Sequence, residues 1–199
     1  KKVNEHLDSG KMALSLDLNE EEREKLRHYN LLTNKPVIYC ANIDEGTIGE
    51  ENKYVKAVRE YAQSQGSEVV VICSKMEQEI SELADEDKEA FLKELGIAES
   101  GLDKLIKASY SLLGLISFLT AGPEESRAWT IKRGTKAPKA GGKIHTDIEK
   151  GFIRVETIAF DELVKHGSMT AAKEAGKVRL EGKDYEIKDG DVVLFRFNV

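Results

Sequence analysis

Asn42, Ile43 and Glu45 follow an apolar run, Val37-Ile38-Tyr39-Cys40-Ala41, and Ser74, Lys75 and Met76 follow a second one, Val69-Val70-Val71-Ile72-Cys73. An amide and a carboxylate delivered at the end of a strand can hydrogen-bond a nucleobase, because together they offer donors and acceptors in one place. The elements that must position them are legible. Both runs are continuous and apolar, as buried strands are, and residues 50–65 between them read as a helix that stops before Gly66. Strand, helix, strand with short joins is a βαβ crossover, so the strands run parallel and both loops leave the same edge. Ligands bind at that edge of such sheets. Each residue also has a plainer use. Asp44 or Glu45 would cap a following helix, and Ser74 would serve as an N-cap with Glu77 and Glu79 in the next turn. Capping and base contact by Ser74 are compatible.

In GTPases the segment corresponding to residues 42–45 runs Asn-Lys-x-Asp, and its Asp accepts hydrogen bonds from N1–H and the exocyclic amine of guanine. Here Ile43 replaces the Lys and Glu45 the Asp. Adenine lacks both donors and presents a bare acceptor at N1, so the altered signature leans toward ATP. Losing a guanine contact does not create an adenine contact. Backbone carbonyls near Asn42 and Ser74 are the candidates for the adenine amino group, with Ile43 against the ring face.

Residues 31–45, together with Phe118-Leu119-Thr120-Ala121-Gly122-Pro123-Glu124-Glu125-Ser126-Arg127-Ala128-Trp129-Thr130-Ile131, resemble the YchF family, the Obg-like ATPases. Gly134-Thr135-Lys136-Ala137-Pro138, the run from Ile144 to Phe152 and the closing Phe195-Arg196-Phe197-Asn198 extend the resemblance over essentially the whole chain. It implies an α/β plus α+β architecture: the C-terminal half of a Ras-like P-loop NTPase domain with the end of a helical arm, then a β-grasp TGS domain. The expected divisions are residues 1–30 for the arm end and return helix, 31–114 for the half nucleotide domain and 115–199 for the TGS domain. The implied parent is a ribosome-associated ATPase acting as a translation-linked switch, with ATP as its nucleotide. Asn42, Ile43, Glu45, Ser74, Lys75 and Met76 are then the base-contacting set, with Lys75 in the Ala position of a Ser-Ala-Lys-like loop. None of the sixteen glycines opens a Gly-x4-Gly-Lys-Ser/Thr run. The phosphate loop and the holders of Mg²⁺ are therefore expected outside this chain, no catalytic residue is assigned within it, and the chain alone is expected to be inactive. The start at Lys1, without Met, fits a C-terminal portion of a longer protein. The alternative is a non-catalytic RNA- or ribosome-binding module.

The net charge of −6 conceals an asymmetry: residues 1–114 carry 15 basic and 23 acidic side chains, residues 115–199 carry 15 and 13. Residues 127–154 hold eight basic residues against two acidic ones, which points to a polyanionic partner. Arg127, Lys132, Arg133, Lys136, Lys139 and Lys143 are the candidate contacts to ribosomal RNA, and the plainer reading is a solvated loop surface. No run approaches the length of a membrane span and no signal peptide is visible; neither membrane nor DNA is an expected partner, and a cytoplasmic location follows. Cys40 and Cys73 are expected buried. His145 and the other histidines are isolated, so no metal site is expected.

Elsewhere, Asn19 with Glu22 forms a capping box for a helix over residues 20–29. Residues 81–113 carry apolar side chains at near-helical spacing, a packing face that Gly96 and Gly101 divide into two helices. Strands are expected at 128–132, 152–159, 177–180, 185–187 and 192–198, with short helices at 161–167 and 170–176.

Overall fold

The structure, a computed structural model, describes residues 1–50, 52–122 and 125–198. Glu51, and Pro123 and Glu124 of the long motif, lie outside the described residues. The chain divides into two compact units, Lys1–Ser109 and Tyr110–Val199.

The first unit opens with α1 (Lys2–Asp8), a 3₁₀ turn (Ala13–Ser15) and α2 (Glu20–Arg27). At α2 the Asn19 side chain accepts from the Glu22 amide while the Glu22 carboxylate accepts from the Asn19 amide, the reciprocal cap that the sequence spells. Leu14, Leu16 and Leu18 do not continue a helix. Leu14 lies within the 3₁₀ turn and Leu16 and Leu18 follow it, and Ala13, Leu18 and Leu26 form a small core of their own.

β1 (Ile38–Asn42) and β2 (Glu68–Ile72) pair in parallel, Asn42 opposite Ile72, and are joined by α3 (Lys53–Ser64). The Asn52 side chain caps α3 by accepting from the Tyr54 and Val55 amides, and Gly66, at φ 65°, carries the chain out of it in a conformation few other residues adopt. α4 (Ser74–Glu82), α5 (Asp85–Glu94) and α6 (Gly101–Leu112) follow. Two expectations fail here. Cys73 is buried but Cys40 is exposed, because alternation along β1 turns Cys40 to the side opposite Tyr39 and Ala41, where nothing in the described chain covers it. The apolar stripe of α6 is not core either: Leu102, Ile106, Tyr110 and Leu113 are exposed and only Ala108 and Gly101 are buried. Helical spacing identifies a face but not what covers it.

In the second unit β3 (Leu115–Ala121), β4 (Ser126–Lys132), β5 (Phe152–Ala159), β6 (Arg179–Glu181) and β7 (Asp191–Phe197) form one sheet in the order β4-β3-β7-β5-β6, with β3 and β7 parallel and the other pairs antiparallel. α7 (Ala137–Ile144) and α8 (Thr146–Lys150) pack on one face over Ile116, Phe118, Ile131, Val155, Val193 and Phe195. α9 (Phe160–His166) and α10 (Met169–Glu174) cover part of the other, over Ile158 and Val192. β3 is a strand that apolar periodicity did not mark off from the preceding helix. Residues 185–187, expected as a strand, make one isolated bridge between Glu186 and Lys136 instead. There Tyr185 turns inward: its hydroxyl donates to the buried Asp191 carboxylate at 2.6 Å, and burial with that neighbour pushes the phenol up to about 12. Gly151 is obligatory at the foot of β5, since a Cβ there would run into the Asn198 backbone carbonyl.

Candidate functional site

The parallel pairing of β1 and β2 brings residues 43–45 and 73–76 out at one edge, and the Ile43 amide donating to the Ile72 carbonyl at 2.8 Å extends the ladder into the first loop. Two side-chain links tie the loops together. Asn42 Oδ1 accepts from the Ser74 amide at 3.0 Å and from Ser74 Oγ at 2.9 Å. Glu45 Oε2 receives the Lys75 ammonium at 2.6 Å, a contact that raises the Lys75 pKa, first by hydrogen bonding and then by charge.

These links change the roles read from sequence. Ser74 begins α4, but the N-cap residue is Cys73 and makes no side-chain cap bond; the oxygen at this helix end comes from Asn42 on the neighbouring strand. The Asn42 amide group makes no hydrogen bond among the described residues. Glu45 opens a 3₁₀ turn (Glu45–Thr47) and is half-exposed, as is Lys75. Ile43 is half-buried against Cys73, Met76 and Ile80, and Met76 is 6% exposed in that cluster. The structure therefore brings Asn42, Glu45, Ser74 and Lys75 together at the surface, while the Met76 side chain points into the core.

Clefts flank the loops. One of about 350 Å³ is bordered by Ile43, Cys73, Met76, Glu77 and Ile97, and one of about 560 Å³ by Asn42, Ile43, Asp44, Asn52 and Tyr54. Glu77, read from sequence only as a first-turn acid, crosses to α6 and accepts from the Gly101 amide at 2.7 Å and the Leu102 amide at 3.1 Å. Anions belong at such an end, but a partner 24 residues away leaves no local signature. The site's second loop is thereby fastened to α6.

The basic stretch is dispersed over β4, the turn after it, α7, α8 and the start of β5 rather than forming one loop. The Arg127 guanidinium lies 4.4 Å from the centre of the Trp129 ring on edge strand β4, and Lys132 ends that strand on the opposite face by alternation. Lys136 pairs with Asp184 at 2.7 Å and Lys139 with Glu149 at 2.5 Å. Lys132, Arg133 and Lys143 are exposed and make no ion pair among the described residues. Two of the six cations are thus paired with carboxylates and a third, Arg127, lies over a ring. The His145 ring accepts from the Asp147 amide and caps α8. Among the described residues no cluster of metal-ligating side chains occurs, and no helix is long and apolar enough to cross a membrane.

A parallel β-α-β edge carrying an amide and a carboxylate, joined in sequence to a mixed five-stranded sheet with helices on both faces, defines a protein of the mixed α/β class. Residues 115–198 match the family described as YchF-GTPase_C, protein of unknown function (DUF933). The ribosome-binding ATPase YchF of Bacillus subtilis (strain 168) is 54% identical over 100% of this chain and 55% of its own length. Obg-like ATPase 1 of Xenopus laevis is 43% identical over 92% and 46%. The solved structure of the Schizosaccharomyces pombe YchF GTPase superposes with a TM-score of 0.83 at 33% identity, covering 98% of this chain and 52% of that one. The chain belongs to the YchF and Obg-like ATPase family, with homology along its whole length. It spans about half the length of the curated relatives it matches.

Proposed function

We propose that this chain is the base-reading half, with an appended TGS-type module, of a ribosome-associated ATPase that binds and hydrolyses ATP in preference to GTP as a translation-linked switch in the cytoplasm. The observation that carries the base preference is the Lys75–Glu45 contact beside Asn42. A guanine would need Glu45 as an acceptor for N1–H and the exocyclic amine, and here that carboxylate already holds an ammonium ion. Adenine makes no such demand. The residues fit a purine in part: Asn42 keeps an amide donor, Ile43 supplies an apolar edge, and Ser74 is fixed close by. When bound, Mg²⁺ and a phosphate loop would supply charge neutralisation for phosphoryl transfer; no residue of this chain is assigned to hold either. Names of relatives point both ways on the base, since one is called a GTPase and others ATPases. Ribosome association follows the names of the relatives and the exposed Lys132, Arg133 and Lys143, with ribosomal RNA as the polyanion.

The test is equilibrium titration of the whole protein with fluorescent ATP and GTP analogues. ATP is expected to bind more tightly, and Glu45→Asp combined with Ile43→Lys is expected to move the preference toward GTP. Tighter GTP binding by the unmodified protein would overturn the reading.

A further inference from the structure

Arg154 on β5 stands directly opposite Arg196 on β7. Like charges in that position destabilise an antiparallel pair, so the two arginines call for an explanation that packing does not supply. Their surroundings are built. Glu156, two residues along β5 and therefore on the same face, is only 6% exposed. One of its oxygens accepts from Arg196 Nε at 2.9 Å and the other meets the Lys173 ammonium, from α10, at 2.5 Å. Binding through Nε fixes the Arg196 guanidinium, and its two terminal nitrogens make no hydrogen bond among the described residues. The Arg154 side chain is exposed and has no hydrogen bond or ion pair among the described residues. Two cations thus hold one buried carboxylate, and a third, Arg154, stands across the strand pair from Arg196.

The rest of this face is open. Leu180 and Leu194 flank Glu156 across the strands and are 62% and 40% exposed, because α9 and α10 reach only as far as Ile158 and Val192. The face therefore presents a row of two arginines next to a row with two exposed leucines.

We propose that Arg154 and Arg196 form a binding site for the phosphodiester backbone of an unpaired RNA strand, with Leu180 and Leu194 under its sugars or bases. The planar guanidinium fork matches a phosphate in two-point contact, which a lysine cannot do, and unpaired RNA is the form whose bases are free to lie on an apolar platform. Glu156 and Lys173 are positioning residues: Glu156 holds Arg196, Lys173 holds Glu156, and neither touches the ligand. The site rests on the reading of ribosomal RNA as partner, but it lies on a different surface from α7, and Arg196 is outside the basic stretch.

The experiment measures binding of the whole protein to a fluorescently labelled single-stranded RNA of mixed sequence and to purified ribosomes, each across a salt series. Arg154→Gln removes the charge without creating a new pair with Arg196, Arg154→Lys keeps the charge but loses the fork, and charge reversal at Lys132, Arg133 and Lys143 tests the other surface. Arg154→Gln is expected to weaken RNA binding on the order of tenfold and to lower the slope of log K against log salt by about 0.7, the value for one phosphate contact on a single strand. Arg154→Lys should keep the slope and lose part of the affinity. An unchanged melting temperature in Arg154→Gln separates lost contact from lost structure. If Arg154→Gln binds RNA like the unmodified protein while the triple reversal loses it, the sheet-face site is wrong and the RNA reading stands. If neither variant affects RNA or ribosomes, both fail. If Arg154→Gln weakens ribosome binding alone, the face meets a ribosomal protein and the RNA site is overturned.

Discussion

Asn42 has one task that the structure shows and a second that we propose, and substitution can divide them. Its Oδ1 accepts from the Ser74 amide and hydroxyl at 3.0 and 2.9 Å, at the start of a helix whose own N-cap residue offers no side-chain acceptor. Its amide group donates to no group among the described residues and is the donor proposed for a nucleotide base. Asn42→Ala removes the acceptor. Deleting a helix cap costs about 0.5–2 kcal/mol, and because Ser74 is exposed water replaces part of the loss, which places the cost near 1 kcal/mol. At RT of about 0.59 kcal/mol this is roughly a fivefold rise in the local opening equilibrium of α4, read directly as fivefold faster exchange of its amide hydrogens. Asn42→Asp keeps an oxygen at the same point and adds negative charge at the positive end of the helix, so exchange in α4 should stay within about twofold of the unmodified protein. Nucleotide affinity should nevertheless fall in both variants, since neither has the amide donor. Unchanged exchange in Asn42→Ala would show that the residue does not hold α4. Equal acceleration in Ala and Asp would show that the loss comes from disturbance of β1 rather than from the missing acceptor.

A Cβ on Gly101 would come within 2.8 Å of Ile72 Cγ2 and 2.9 Å of Glu77 Oε1. Gly101→Ala is therefore expected to destabilise by about 1–3 kcal/mol, seen as a drop of several degrees in melting temperature, and an unaltered melt would show that α6 shifts freely away from β2. At Glu156 the Lys173 hydrogen bond, and then that of Arg196, holds the carboxyl below its usual range against the opposing effect of burial. A depressed native pKa stabilises the fold above the ordinary glutamate range, and this contribution is lost as pH falls through the native value. Glu156→Gln should thus be less stable than the unmodified protein near neutrality, with the gap closing on the acid side in melts recorded across pH. A gap independent of pH would place the effect in packing.

The sequence alone carried much of the local structure of the first unit because those signals are local: Asn19 with Glu22 spells a cap, two apolar runs around a helix spell a parallel crossover, and Gly66 marks the end of that helix. The order of strand, loop and carboxylate also sufficed to bring Asn42, Glu45, Ser74 and Lys75 to one edge, since a right-handed crossover leaves no other arrangement. What those side chains do there was decided by tertiary structure. The contacts Asn42–Ser74, Glu45–Lys75 and Glu77–Gly101 span 32, 30 and 24 residues, and no spacing rule reaches that far. Burial was likewise open. Two similar apolar runs put Cys73 in a core and Cys40 outside one, and a helical stripe left Leu102 and Ile106 exposed. The arginines show the limit most plainly: Arg154 and Arg196 are 42 residues apart in the chain, and only the antiparallel register of β5 and β7 sets them face to face.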